Sequence, residues 1–333
     1  MNHRFLVSTG ALAAVIAVVL LAPGPADGQA QTSASDKWTS HRTSWGDPDL
    51  QGIWTNTTTT PLERPSDLTG KPVLTDGERA ELDERAAQRR DRRPPPGNPG
   101  AYNSFWMEGG KASQRTSLVV DPADGRLPYT PEGRKRAEAL AAAFAGNGAA
   151  DSWEDRTLYE RCITRGLPGA MMPGFYNHNY HILQTPGYVV LFVEMIHDAR
   201  IIPVDGRPHL GQHIRQWLGD SRGRWVGNTL VVETTNFTDK VDYRGLTVFG
   251  TGKNVHLVER FTRVDADTID YQFTVDDATV FTRPWTAAIP MTQIKGPLFE
   301  YACHEGNYGL PQILSGARVQ EQAAEGAAKK GPR

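Results

Sequence analysis

Residues 224–235, RWVGNTLVVETT, decide the fold. Two short runs of β-branched and apolar residues flank Gly227-Asn228, and a two-residue connection of this kind suits a tight hairpin between antiparallel strands. Outward from this hairpin, strand-like segments recur at 180–184, 188–195, 200–204, 214–218, 255–264, 268–275, 280–285, 286–294 and 298–303. Gly, Asp, Asn and Pro separate them, with Asp265-Ala266-Asp267 making another tight connection. No helix-length periodic segment intervenes, and the connections are too short for parallel crossovers, so neighbouring strands pair antiparallel. The expected fold is mainly β: an antiparallel meander forming a barrel or sandwich, lipocalin-like by analogy.

The chain before this region has a different character. Residues 40–65 are turn-rich, with one apolar point at 50–54, and are expected to lie extended across the surface of the main domain. Residues 76–93 carry Glu, Ala and Arg but few apolar side chains, which reads as a solvated helix ended by Pro94-Pro95-Pro96-Gly97. Thr130 as N-cap, Pro131 at the first helical position and Gly146 beyond the end frame a second helix. Ser152 and Asp155 make a capping box. The expected organisation is an irregular, partly helical N-terminal region at 31–150, a β-rich main domain at 151–315 and a disordered tail at 316–333, where Ala, Glu, Lys and Gly dominate.

Residues 1–30 read as a secretory signal peptide. Asn2, His3 and Arg4 form a short polar start, 5–21 is almost wholly apolar, and Gly28-Gln29-Ala30 offers small residues for cleavage. An uncleaved membrane anchor competes with this reading, but no basic stop-transfer flank follows. The mature protein is therefore expected outside the cytoplasm, periplasmic or secreted, without integral membrane insertion. Hydrophobic residues at 39% and a formal charge of −2 fit a soluble globular chain and provide no electrostatic footprint for nucleic acid. The two cysteines, Cys162 and Cys303, are expected to pair in an oxidising compartment, closing a long loop.

Chemistry concentrates in residues 175–209, which hold four histidines around the most strand-like apolar run. His178 and His181 are three apart at the entrance to one strand, and Glu194 and His197 repeat that spacing after the next. Three readings stay open. His178, His181 and His197, with Glu194, have the ligand types for a divalent metal such as zinc. His181, Glu194, His197 and Arg200 instead supply acid–base and anion-stabilising groups without metal. In the third, Glu194 and Arg200 form an interior ion pair and the histidines satisfy backbone groups. Strand alternation sends Glu194 and His197 to opposite faces unless the strand is broken before His197. Glu259 lies on the apolar face with Leu257 and Phe261, which implies a lined cavity or a paired core charge. His178, Tyr180, Glu259, Trp285 and His304 are the candidate ligand-binding residues. His209 and His213 read as surface or rim residues.

Gly219-Asp220-Ser221-Arg222-Gly223 matches the nucleophile elbow G-x-S-x-G, which needs a strand before it and a helix after it. Here a hairpin follows, so a polar turn is expected instead. The strings at 217–225 (WLGDSRGRW), 229–237 (TLVVETTNF) and 300–308 (EYACHEGNY) resemble those of a family of uncharacterised exported bacterial proteins. The similarity spans most of the mature chain; it implies one exported module and brings no activity with it. The functional expectation is extracytoplasmic binding of a small, partly apolar organic molecule in a β-rich cavity. The alternatives are a hydrolase, lyase or isomerase using the His/Glu/Arg group, or an envelope structural protein.

Overall fold

The computed structural model describes residues 38–90, 107–143, 150–174, 176–239 and 251–330. The segment read as a signal peptide lies outside them. The unit Ser40–Arg333 carries all the named elements. Its strands are β1 (Gly52–Thr55), β2 (Val119–Asp121), β3 (Asn179–Thr185), β4 (Tyr188–Val193), β5 (Ala199–Pro203), β6 (Asp220–Val226), β7 (Thr229–Thr235), β8 (His256–Arg263), β9 (Thr268–Asp276) and β10 (Trp285–Ile294). Its helices are α1 (Asp76–Arg90), α2 (Pro131–Ala143) and α3 (Gly309–Lys330).

The strands form one antiparallel sheet in the order β5-β4-β3-β1-β10-β9-β8-β7-β6, with β2 added to β10. The mainly β expectation holds. The β6–β7 hairpin has the register read from the sequence, Val226 opposite Thr229 across Gly227-Asn228, and Gly227 takes the positive φ of 60° that its turn requires. Along β9 the alternation is complete: Ile269, Tyr271, Phe273 and Val275 are buried and the residues between them are not.

Residues 50–54 depart from expectation. They do not cross the surface: Leu50 is buried and Gly52–Thr55 form β1, a central strand paired with β3 on one side and β10 on the other. Trp54 explains the difference, because its side chain is fully buried in the core and its indole N–H donates to the Leu50 carbonyl at 3.0 Å. Burying a side chain of that size stabilises by roughly 1.5–3 kcal/mol. β1 thereby joins two local meanders, β3–β5 and β6–β10, into one sheet.

Residues 214–218 and 298–303, expected as strands, run as loop, and 280–284 turn into the start of β10. The 298–303 segment is held by a side-chain bond to the Phe299 N–H and by a disulfide rather than by a ladder. Residues 309–330, which include most of the expected disordered tail, are helical as α3. Ala, Gln, Glu and Lys are strong helix formers, and Arg318 ties the helix to the Ala150 and Asp151 carbonyls. Thr130 caps α2 through the Gly133 N–H at 2.9 Å, and the Ser152/Asp155 capping box is formed. Among the described residues no helix is long and apolar enough to cross a membrane.

The two ends of the sheet, β5 and β6, share no ladder but face each other. Arg200 Nη2 on β5 lies 3.3 Å from Ser221 Oγ on β6, and a Cβ added at Gly223 would lie 2.7 Å from Val204 Cγ1 and 3.0 Å from Ile202 Cγ2. The sheet therefore curls into an open barrel whose seam is filled by side chains. Fully buried Trp54, Tyr180, Phe261, Tyr271, Phe273 and Trp285 occupy the interior, with Phe261 stacked on Tyr271 at 4.7 Å and Phe273 edge-on to Trp285 at 5.5 Å.

Candidate functional site

The strand break needed to reorient the histidine block exists. β4 ends at Val193, and Met195–His197 form a 3-10 turn in which Ile196 and His197 take positive φ values of 64° and 53°. A left-handed backbone is rare for a β-branched residue; here Glu194 N–H to Asn179 O (3.0 Å), Val193 N–H to Asp198 O (2.8 Å) and His197 N–H to Glu194 O (3.2 Å) brace it. The turn separates the four groups instead of gathering them. Glu194 is buried, accepting from Asn179 Nδ2 at 2.6 Å and from the Phe299 N–H at 2.8 Å. His197 is exposed, its ring 6.4 Å from that of exposed His304.

His178 is buried with Nε2 2.7 Å from Arg165 Nη1, in space a side chain at Gly174 would occupy. His181 lies on the face of β3 opposite buried Tyr180 and Ile182. The candidate metal set His178, His181 and His197 is thus not assembled, and no group of three His, Cys, Asp or Glu among the described residues is placed to hold a metal ion. The acid–base set His181, Glu194, His197 and Arg200 is dispersed over the same positions.

Arg200 does not pair with Glu194. It reaches across the interior from β5 to Glu259 on β8, at 2.6 and 3.1 Å, and Tyr271 O–H donates to the same carboxylate at 3.0 Å. Glu259 is therefore a paired core charge. Burial alone would lower the Arg200 pKa, but the charge and hydrogen bonds of Glu259 outweigh it and raise the value; burial and then Glu259 push the Tyr271 phenol well above its usual range. Tyr180 and Trp285, expected to line a ligand cavity, are fully buried packing: the Tyr180 hydroxyl donates to Ala170 O at 3.2 Å, and Trp285 sits edge-on to Phe273 and Phe281. Ser221 lies within β6 rather than in a turn, bonded to Thr234 Oγ1 at 2.9 Å and followed by a hairpin, so the elbow context is absent.

The seam opens a cleft that the sequence did not disclose. Its main lobe, about 630 Å³, is lined by Ile163, Thr164, Asp198, Arg215, Trp217 and Leu218 among others. A smaller lobe of about 270 Å³ shares Gln216 and Leu218 with it and is lined by Arg200 and Ser221 at the gap between β5 and β6. Ile163 and Thr164 of the lining follow Cys162 in the chain, and Cys162 is bonded to Cys303 with Cα atoms 5.7 Å apart, the expected pairing. Residues 215–219, the end of the 204–219 loop, line the cleft as well. Buried Asp220 pins this loop by accepting from His209 Nδ1 and from the Leu210 N–H, both at 2.9 Å. Asn236 adds bonds from its Nδ2 to Leu210 O (3.0 Å) and from Gln216 N–H to its own carbonyl (3.0 Å).

Asp198 projects into this cleft and accepts from Thr164 Oγ1 at 2.8 Å. Burial raises its pKa, against the opposing effects of Thr164, the Arg165 N–H and the positive charges of His197 and Arg200. Arg215 Nη1 donates to Phe237 O at 2.9 Å and Lys253 O at 3.0 Å, and among the described residues no carboxylate stands within ion-pair distance of it. Trp217 keeps 37% of its surface exposed. The sequence signals for these residues were faint: Asp198 sits between His197 and Arg200, and Trp217 opens the 217–225 string. A second groove of about 600 Å³ lies on the outer face by β1 and β3. Its Glu108 is already satisfied by Thr57 Oγ1 at 2.9 Å and Asn179 Nδ2 at 3.1 Å. Comparison with protein-family models, curated proteins and solved structures finds no match to this chain.

Proposed function

We propose that this protein is exported and binds a small, partly apolar organic molecule in the cleft at the β5–β6 seam. Aromatic side chains fill the barrel interior, which moves the reading from an enclosed cavity to the seam. The observation that carries it is the cleft itself: at about 630 Å³ it falls in the size range of small-molecule sites, with Ile163, Trp217 and Leu218 as apolar wall. Asp198 adds a titratable group shifted by burial, as binding and catalytic clefts commonly hold. The disulfide and the Asp220-pinned loop hold the walls in place before any ligand arrives, which lowers the ordering cost of binding.

The test is a titration with 2-naphthoate and 2-naphthamide, followed through the indole N–H resonances of protein labelled with ¹⁵N-tryptophan. Saturable binding of either probe that shifts the Trp217 signal, and loss of that binding in Trp217→Ala with the remaining spectrum preserved, is the expected result. Absence of saturable binding by both probes, or unchanged binding in Trp217→Ala, would overturn the reading.

A further inference from the structure

We infer that the seam cleft selects an anionic ligand, a small aromatic or branched-chain carboxylate, with Arg215 as the group that recognises the charge. This rests on the cleft being the binding site and adds the ligand's chemical class. Arg215 lines the main lobe together with Trp217. Among the described residues its guanidinium is anchored through Nη1 alone, to two carbonyl oxygens, Phe237 O and Lys253 O. Carbonyls orient a guanidinium without cancelling its charge, and a guanidinium has five N–H donors in a fixed fork, so donors remain for a carboxylate.

The other charges around the cleft do not compete for that role. Arg200 is neutralised by Glu259, and Arg222 Nη2 lies 3.1 Å from Asp220. Asp198 is the carboxyl within the main lobe, and it is already engaged as an acceptor by Thr164 Oγ1 at 2.8 Å. Among the described residues that line the cleft, Arg215 is therefore the cation without a carboxylate partner, and Trp217 lines the same lobe as an aromatic surface for a ring.

The same pair of probes tests this, because 2-naphthoate and 2-naphthamide differ in charge and little in shape. Wild-type protein is expected to bind the carboxylate about tenfold or more tightly than the amide, as for a hydrogen bond to a charged group, and the preference should shrink with added salt. Arg215→Gln should bind the two probes alike, whereas Arg215→Lys, which keeps the charge, should retain much of the preference even if the loop anchor weakens. Equal wild-type affinities, or a preference that persists unchanged in Arg215→Gln, would overturn the anion assignment while leaving the cleft as a binding site. No binding of either probe would remove both.

Discussion

Arg200 and Glu259 meet inside the barrel through two hydrogen bonds of 2.6 and 3.1 Å, with their side chains 3% and 0% exposed. The pair links β5 to β8 past β6 and β7, so the unladdered seam is bridged from beneath by charge. Breaking one partner of a buried pair leaves the other charge without compensation. Glu259→Leu is expected to lose about 3–5 kcal/mol of stability, and the double variant Arg200→Met/Glu259→Leu to regain much of it. Urea unfolding measures both; a single variant within about 1 kcal/mol of wild type would mean that the pair is solvated in solution.

Gly223 tests how closely the seam is packed. A Cβ there would lie 2.7 Å from Val204 Cγ1 and 3.0 Å from Ile202 Cγ2, so Gly223→Val must wedge β6 away from β5. The expected loss is about 1–3 kcal/mol, as for an overpacked core, read as a lower unfolding midpoint. An unchanged midpoint would show that β5 and β6 stand further apart than described.

The disulfide spans 141 residues, and on the chain-entropy model a loop of that length contributes about 5 kcal/mol. Cys162→Ala/Cys303→Ala should unfold at markedly lower denaturant. Because Ile163 and Thr164 belong to the cleft wall, the variant should also bind 2-naphthoate more weakly under conditions where it remains folded. Full affinity in the folded double variant would show that the bridge does not shape the cleft.

Asp198 makes stability depend on pH with a definite sign. Its folded pKa is raised above 3.8, so above that value the folded state holds more protons than the unfolded one, and stability falls as pH rises toward the folded pKa. Asp198→Asn removes this loss. Wild type and variant should differ least at the acid end and diverge as pH increases, the variant becoming the more stable relative to wild type. Unfolding curves from pH 4 to pH 8 that run parallel for the two proteins would contradict the burial of this carboxyl.

Local patterns carried much of the fold. The alternation of Ile269, Tyr271, Phe273 and Val275 and the Gly227-Asn228 turn are properties of adjacent residues, so the β6–β7 hairpin and the buried face of β9 were readable directly. The position of Glu259 beside Leu257 and Phe261 likewise announced a charge on the core face. With two cysteines in the chain, their pairing followed from the expected compartment.

The tertiary structure alone decided the rest. Glu194 lies six residues from Arg200 and Glu259 lies 59 away, yet the distant carboxylate is the partner, because the turn at Ile196 and His197 buries Glu194 against Asn179 and Phe299 while the curl of the sheet aims Arg200 inward. Nothing local to residues 50–54 announces a central strand; pairing with β3 and β10 supplies the neighbours that bury Trp54. The cleft has the same origin. Asp198, Arg215 and Trp217 are ordinary residues in their own segments and acquire a shared environment only where two strands distant along the chain approach without a ladder. Alternation and turn chemistry act between neighbours and so are written in the sequence, whereas register between remote strands and the gaps they leave depend on how the whole chain closes.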